Sequence, residues 1–460
     1  MYTIDFNTPI HVHFIGIGGI SMSGLADILF SKGFRISGSD TKASPLTDAL
    51  MAKGVLVNIG QKASNITDDI DLVVYTAAIH PDNEEFAEVV RRNIPMLTRA
   101  ELLGEIMSNY KVSIGVAGTH GKTTTTSMLA EILIASDCDP TISVGGILPS
   151  IGGNLRLGDS ENFLTEACEY TNSFLSFKPT IEIILNIGED HMDFFKDIND
   201  IRNSFIRYVN LLTEDGLLVI NSDIDNVEEI YAEACCTVIT VGTSETSDYT
   251  ATDISYNNQG CCTYTLVHKG SPMCEVSLEV AGLHNVYNSL AAIAVARHME
   301  LPYEVILTGL KNFTGTNRRF QKKGTVNGIT VIDDYAHHPD EINATLSTAE
   351  KYPHKKLTVV FQPHTYTRTK AFLADFAKSL SRADRVILAD IYAARETDTL
   401  GISSADIMRL IREYGTECIH EPDFDKIPSL IMDLCSDGDL VITMGAGNIV
   451  EVGEALINNP

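Results

Sequence analysis

An α/β chain of three domains is what this 460-residue sequence predicts, and three observations predict it. The length exceeds what one hydrophobic core fills, so about three domains are expected. Strand-like runs alternate with glycine-bearing loops and helix-like runs along the whole chain, the pattern of parallel sheets. The polar clusters fall just after the strand runs, where ligands bind open α/β sheets.

Composition narrows the function classes. Hydrophobic content of 44% against 21% charged is ordinary for a globular protein. No run reaches the roughly 18 apolar residues of a membrane helix. The N-terminus, "MYTIDFNTPIHVHFIG", lacks the basic start and cleavage site of a secretory signal, so a cytoplasmic location is expected. A formal charge of −27 argues against nucleic-acid or anionic-membrane partners. Any phosphate ligand must then be held by local cations and backbone amides. The nine cysteines show no C-x-x-C spacing and read as reduced thiols.

The elements divide at two places. In residues 1–107, "PIHVHFIGIGG" is a strand entering glycines, "DLVVYTAAI" is a later strand, and "LTRAELLGEIM" is a helical connector. Residues 108–316 open with the strand "KVSIGVAG" and continue through "NFLTEA", "IEIILNI" and "GLLVINSD". A β-rich stretch at about 237–280 follows, and then the helix "HNVYNSLAAIAVARHM". Residues 317–460 hold the strands "ITVIDD", "LTVVFQ", "RVILAD" and "LVITMG".

The second segment carries a phosphate cradle. Gly118, Thr119, His120, Gly121, Lys122, Thr123 and Thr124 stand between a buried strand and a helix with Met128, Leu129, Ile132 and Leu133 on one side. The strict G-x-x-x-x-G-K-[ST] pattern fails at Val116, leaving a shortened version. The context still points backbone N–H groups and a helix N-terminus at an anion. Lys122 supplies a cation, and the Thr123 hydroxyl is placed for Mg²⁺. A guanine-nucleotide switch is disfavoured, because the chain has no Asn-Lys pair.

"LTEACEY" ends a strand with Glu166, and "LNIGEDHMDFF" places His191 and Asp193 just past another. Glu166 suits Mg²⁺, an oxygen-preferring ion, and His191 between acids can act as a ligand or serve structure. Asn285 and Asn288, three apart on one helix face, can read an adenine edge or simply pack.

GTHGKTT, the Glu of "TEACEY", "DHMD", "HNxxN" with "LAA", and "RRF" occur here in that order, and with them the chain resembles the Mur ligase superfamily. Members of that superfamily use ATP to phosphorylate a carboxylate that an amine then attacks. The resemblance implies a Rossmann-like N-terminal domain, a central P-loop ATPase-type sheet and a Rossmann-like C-terminal domain.

The N-terminal loop decides the branch. Gly16-x-Gly18-Gly19 follows a strand, and Asp40 lies about twenty residues on, yet Ser21 breaks the dinucleotide fingerprint. Such a loop can hold any pyrophosphate. With "YTAAIHPDN" it resembles the UDP-binding domain of the alanine-adding branch, which implies a site at Gly16, Gly18, Gly19, Asp40, Thr76 and Ala77. "DDYAHHPDEI", "FQPHTYTRT", "TGTNRRFQ" and "MGAGNI" resemble the same branch. Departures are Ala336 where many relatives have Gly, Thr365 where many have Arg, and no lysine in 198–213, only Arg202 and Arg207.

Carried over residue by residue, the resemblance implies catalytic roles for Lys122, His191, Arg318 and His338. It implies ATP contacts at residues 118–124, Asn285, Asn288, Arg319 and Asp333, and metal ligation by Thr123, Glu166 and His191. An amino-acid pocket of Tyr335, His337, His364 and Arg368 is implied as well. The implied cofactors are ATP and two Mg²⁺ ions. The implied substrates are UDP-N-acetylmuramate and L-alanine, joined in the bacterial cytoplasm by a monomer or weak homodimer. A murein-tripeptide ligase is the alternative of the same chemistry. A folylpolyglutamate synthase lacks this N-terminal segment. An NAD-dependent oxidoreductase or a nucleotide-gated sensor leaves most of the motifs without a role.

Overall fold

The computed structural model describes residues 2–76, 78–192, 194–394 and 396–458. Ala77 and Asp193 lie outside the described residues. Three sheets follow one another along the chain. The first runs in the spatial order Leu56–Ile59, Arg35–Asp40, His11–Ile15, Leu72–Tyr75, Met96–Thr98, with every pairing parallel. Its order reverses between His11–Ile15 and Leu72–Tyr75, which makes a crevice at their carboxyl ends.

The second sheet has ten strands. At its centre Val112–Ala117 lies between Ile181–Ile184 and Asn162–Glu166, parallel to both. Val112–Ala117 and Ile181–Ile184 are rich in valine and isoleucine, and Asn162–Glu166 buries Phe163 and Leu164, as burial on both faces requires. The β-rich stretch forms the antiparallel strands Tyr249–Tyr256, Cys261–His268 and Ser271–Ala281, which extend one edge. The third sheet orders Gln321–Val326, Ile329–Asp334, Leu440–Met444, Leu357–Phe361, Arg385–Leu388 and Glu417–His420, with only the first pairing antiparallel.

The cores are partitioned unequally. One apolar cluster runs unbroken from Phe14 and Leu72 through Leu102, Met107 and Tyr110 to Phe163, Phe174 and Tyr208, so the first two sheets share it. The helix Arg99–Met107 makes the joint. A Cβ at its Gly104 would lie 1.9 Å from the Ser176 carbonyl oxygen, so only glycine admits that approach. The third sheet packs separately, with Ile342, Phe361 and Phe376 on one face and Ile387, Ile431 and Val441 on the other. Among the described residues no helix is long and apolar enough to cross a membrane.

Candidate active site

The cradle follows Val112–Ala117 and leads into the helix Lys122–Ala135. Gly121 takes φ +87°, and a Cβ there would sit 2.7 Å from Asn288 Oδ1. Asn186, just past Ile181–Ile184, clamps the loop: its Oδ1 accepts from the His120 N–H at 2.8 Å and its amide donates to the His120 carbonyl at 2.9 Å. The Lys122 ammonium donates to the carbonyls of Gly118 and Thr119 and to Glu169 Oε2 at 3.0 Å. Burial works against that charge, but Glu169 and Glu166 more than offset it and hold the Lys122 pKa above its ordinary value.

Glu166, at the end of Asn162–Glu166, gathers donors beside the cradle. The Thr123 hydroxyl donates to Glu166 Oε2 at 3.1 Å, and the Gly145 N–H donates to Glu166 Oε1. A Cβ at Gly145 would lie 2.7 Å from Glu166 Oε2, so glycine lets the backbone come up to the carboxylate. His191 adopts φ +55°, donates its N–H to Asp190 Oδ1 and stacks on Tyr170 with centroids 4.4 Å apart. Hydroxyl and carboxylate oxygens are the donors Mg²⁺ prefers, so Thr123 and Glu166 fit that ion. Arg202 is engaged elsewhere, on the carbonyls of Asp225 and Asn226 and on Glu229.

A cleft of about 630 Å³ opens between the second and third domains. Thr124, Asn285, Asn288, Arg319 and Glu341 line it. The two asparagines are tied together: Asn288 donates to Asn285 Oδ1 at 3.0 Å, and Asn285 donates to the Ala281 carbonyl at 2.8 Å. His284 lines the same cleft, and burial beside Arg319 pushes its pKa down to about 4.

The consecutive arginines diverge. Arg318, at φ +63°, commits its guanidinium to Asp333 Oδ2 at 3.0 Å and to the carbonyls of Gly445 and Gly447. It braces two strand ends of its own sheet, while Arg319 lines the cleft. Asp333, expected at the nucleotide, is fully buried between Arg318 and the Thr443 hydroxyl, while its neighbour Asp334 lines the cleft.

On the third domain the histidines gather. His337 and His338 follow Ile329–Asp334, and His364 and Arg368 follow Leu357–Phe361. The His337 and His364 rings meet edge-on at 5.7 Å, and Tyr335 flanks His337 at 5.5 Å. His337 Nδ1 lies 3.0 Å from the Tyr335 carbonyl oxygen, which assigns the proton to Nδ1 and leaves Nε2 as an acceptor. Burial holds His337 below its ordinary pKa despite Glu341, and burial with His337 and Arg368 nearby pushes His364 down to about 4. Ala336 is buried with ordinary backbone angles, so its methyl group meets no penalty there. Thr365 takes φ +65° and accepts from the Arg368 N–H.

Two contacts latch the third domain to the second. Arg368 donates to Asp190 Oδ1 at 3.0 Å, with both side chains largely buried. Glu341 stands 3.4 Å from His120 Nδ1, 3.2 Å from His337 Nδ1 and 3.7 Å from Arg319. Burial opposes both carboxylates, yet the surrounding histidines and arginines hold each well below the usual range. In turn Glu341 and Asp190 outweigh burial at His120 and keep its pKa above the ordinary value.

In the first domain the glycine loop follows His11–Ile15, and Thr76 follows Leu72–Tyr75 on the neighbouring strand, at the crevice. Asp40 Oδ2 accepts from the Gly18 N–H at 2.9 Å, so Asp40 braces the loop. Arg99 reaches Ser21 at the same place.

Sequence reasoning missed Asn186, Glu169, Asp190, His284 and Glu341. The signal available was position, since Asn186 and Asp190 follow a central strand and Glu169 sits three residues past Glu166.

Comparison with known proteins agrees with this layout. Residues 11–111 match the Mur ligase family catalytic domain, 116–296 the Mur ligase middle domain and 318–447 the Mur ligase glutamate ligase domain. The UDP-N-acetylmuramate–L-alanine ligase of Lachnospira eligens is 62% identical over 99% of this chain and 100% of its own. The solved UDP-N-acetylmuramate–alanine ligase of Thermotoga maritima superposes with a TM-score of 0.80 at 29% identity, covering 98% of each chain. A murein peptide ligase of Psychrobacter arcticus, at 24% identity and TM-score 0.70 over 98% of each chain, shares the fold. The chain belongs to the Mur ligase family, and its full-length likeness is to the UDP-N-acetylmuramate–L-alanine ligases.

Proposed function

We propose that the chain uses ATP to join L-alanine to UDP-N-acetylmuramate in the cytoplasm, acting as a monomer or weak homodimer, with the residues above in the following roles. The division is 1–107 for the sugar nucleotide, 108–316 for ATP and 317–460 for the amino acid. The observation that carries this reading is the meeting of two sets of strand ends. The phosphate cradle of one sheet meets the third domain directly, through His120 at 3.4 Å from Glu341 and Asp190 paired with Arg368, beside a cleft lined from both.

A carboxylate does not condense with an amine in water, because the group to be expelled is oxide. The sugar-nucleotide carboxylate instead attacks the γ-phosphorus of ATP, and the bond to the ADP oxygen breaks. The acyl-phosphate that results has phosphate as its leaving group. The amine of L-alanine adds to its carbonyl carbon, a proton leaves the nitrogen, and the tetrahedral species expels phosphate.

Lys122, His120, His338 and Arg319 surround the transferring group and spread its charge, while Arg318 holds the third-domain strand ends in register behind them. Thr123 and Glu166 would hold one Mg²⁺, and Glu166 with His191 a second, which would offset the charge of the phosphate oxygens. Asn285 and Asn288 fix the wall against which the adenine packs. Arg368 and Tyr335 position the amino acid. His337, uncharged and with Nε2 free, accepts the amine proton. Orientation alone supplies effective molarities on the order of 10⁵ M, which a latched cleft provides. Gly16, Gly18, Gly19, Asp40, Thr76 and Ala77 hold the uridine diphosphate.

Phosphate release from ATP is the test, with UDP-N-acetylmuramate present and L-alanine, glycine, L-serine or the murein tripeptide added singly. Release that requires both the sugar nucleotide and L-alanine is expected. Release only with the tripeptide would make the chain a recycling ligase.

A further inference from the structure

Beside the cleft, His120 and His338, which the ligase reading sets around the transferring group, form with Asp340 a donor set to which that reading gives no metal. One ligand atom from each of His120, His338 and Asp340 lies within 4.8 Å of the other two. Both ring nitrogens of His120 are buried without a hydrogen-bond partner, and so is His338 Nε2. Buried polar atoms are ordinarily satisfied, so His120 Nε2, with Glu341 near only the other ring nitrogen, marks a place for a ligand. His338 Nδ1 accepts from the Asp340 N–H at 3.3 Å and lies 3.7 Å from Asp340 Oδ2, so Nδ1 is the unprotonated nitrogen on the side of the cluster and Nε2 carries the proton. Glu341 Oε1 stands 3.4 Å from His120 Nδ1, the position of the carboxylate in carboxylate–histidine–metal arrangements.

We propose that His120, His338 and Asp340 bind a nitrogen-preferring divalent ion, Zn²⁺ or Co²⁺, that staples the phosphate cradle to the third domain. Two imidazoles and a carboxylate select such ions over Mg²⁺, so the site is chemically separate from Thr123 and Glu166. Metal–ligand bonds of about 2.0–2.1 Å require tetrahedral ligands about 3.3 Å apart, so the cluster contracts on binding. Asp340, exposed at the first turn of the helix Pro339–Ala349, has the freedom to close that gap. Three protein ligands leave a fourth position for water. The ion occupies the ground of the nucleotide phosphates and holds the two domains together, so it inhibits turnover.

The test titrates metal-stripped, nucleotide-free protein with Co²⁺ and reads visible absorption, which needs no turnover and stands apart from the ligase reading. An intense tetrahedral band is expected. In D340N its affinity falls about tenfold or more, and H338A loses the band. D340N keeps its ligase activity, and Zn²⁺ inhibits it only at concentrations about tenfold or more above those needed for the unsubstituted protein. Three results would each overturn the proposal: the weak spectrum of hydrated Co²⁺ throughout, near-ultraviolet thiolate bands that assign the ion to cysteine, or equal Co²⁺ affinity in D340N.

Discussion

Two glycine loops in this chain have the same local plan and opposite fittings. Gly16–Gly19 and Gly118–Gly121 each leave a parallel strand and enter a helix. In the first, the side chain facing the loop is a carboxylate, and Asp40 occupies the Gly18 N–H. In the second, Lys122 folds over its own loop beside Glu169, and Glu166 stands ready on the next strand. A spectator pyrophosphate needs only a shaped backbone and a stiff loop. A phosphoryl group in flight needs a cation and a metal ligand at fixed positions. The fittings, more than the loops, separate holding from reacting.

K122M should separate them most sharply, lowering ligase turnover on the order of 10³-fold while the Kd for UDP-N-acetylmuramate stays unchanged. A turnover loss below tenfold would take Lys122 away from the reacting phosphate. E166Q comes next, with an expected loss of about 10–100-fold and a Mg²⁺ dose curve moved to higher concentration. Unchanged Mg²⁺ dependence would assign the ion elsewhere.

G18A probes the other loop. A Cβ there would lie 2.8 Å from Asp40 Oδ2 and 2.9 Å from Thr47 Cγ2. Overpacking costs about 1–3 kcal/mol, so the KM for the sugar nucleotide should rise about tenfold or more at near-normal kcat. A fall in kcat with unchanged KM would mean that the two loops are not divided in this way.

The smallest effect is a pH profile. His337 sits below its ordinary pKa, so it loses its proton-accepting form only in acid, and the acid limb of kcat/KM should fall below pH about 6.5. Asp190 and Glu341 are depressed, so their contribution to the latch is complete above the ordinary carboxylate range, about pH 4, and fades as pH drops through their lowered values. The latch therefore persists across the neutral range. An acid limb above pH 6.5 would remove His337 as the base.

The three-sheet plan was legible because strand, glycine and helix signals are local and repeated. The cradle and Glu166 were legible for the same reason, each at a strand end. Glu341 was not, since an acid in a helix's first turn reads as a cap, and it does cap His338 while also gathering His120, His337 and Arg319. Asn186 was hidden likewise, as an amide whose whole purpose is a neighbouring loop. Arg318 and Arg319 were indistinguishable in sequence, and a single left-handed backbone residue sends them to different tasks.

The shared core of the first two domains bears on how such proteins are assembled from parts. Tyr110 and Phe174 lie outside both sheets and pack with Phe14 of the first and Phe163 of the second in one cluster, and Gly104 seats one backbone against another. The first domain cannot be exchanged as a cassette without rebuilding that seam. The third domain carries its own interior and meets its neighbour through the polar catches at Asp190 and Glu341. Changes of amine specificity by domain replacement should therefore succeed at residue 317 and fail at 108.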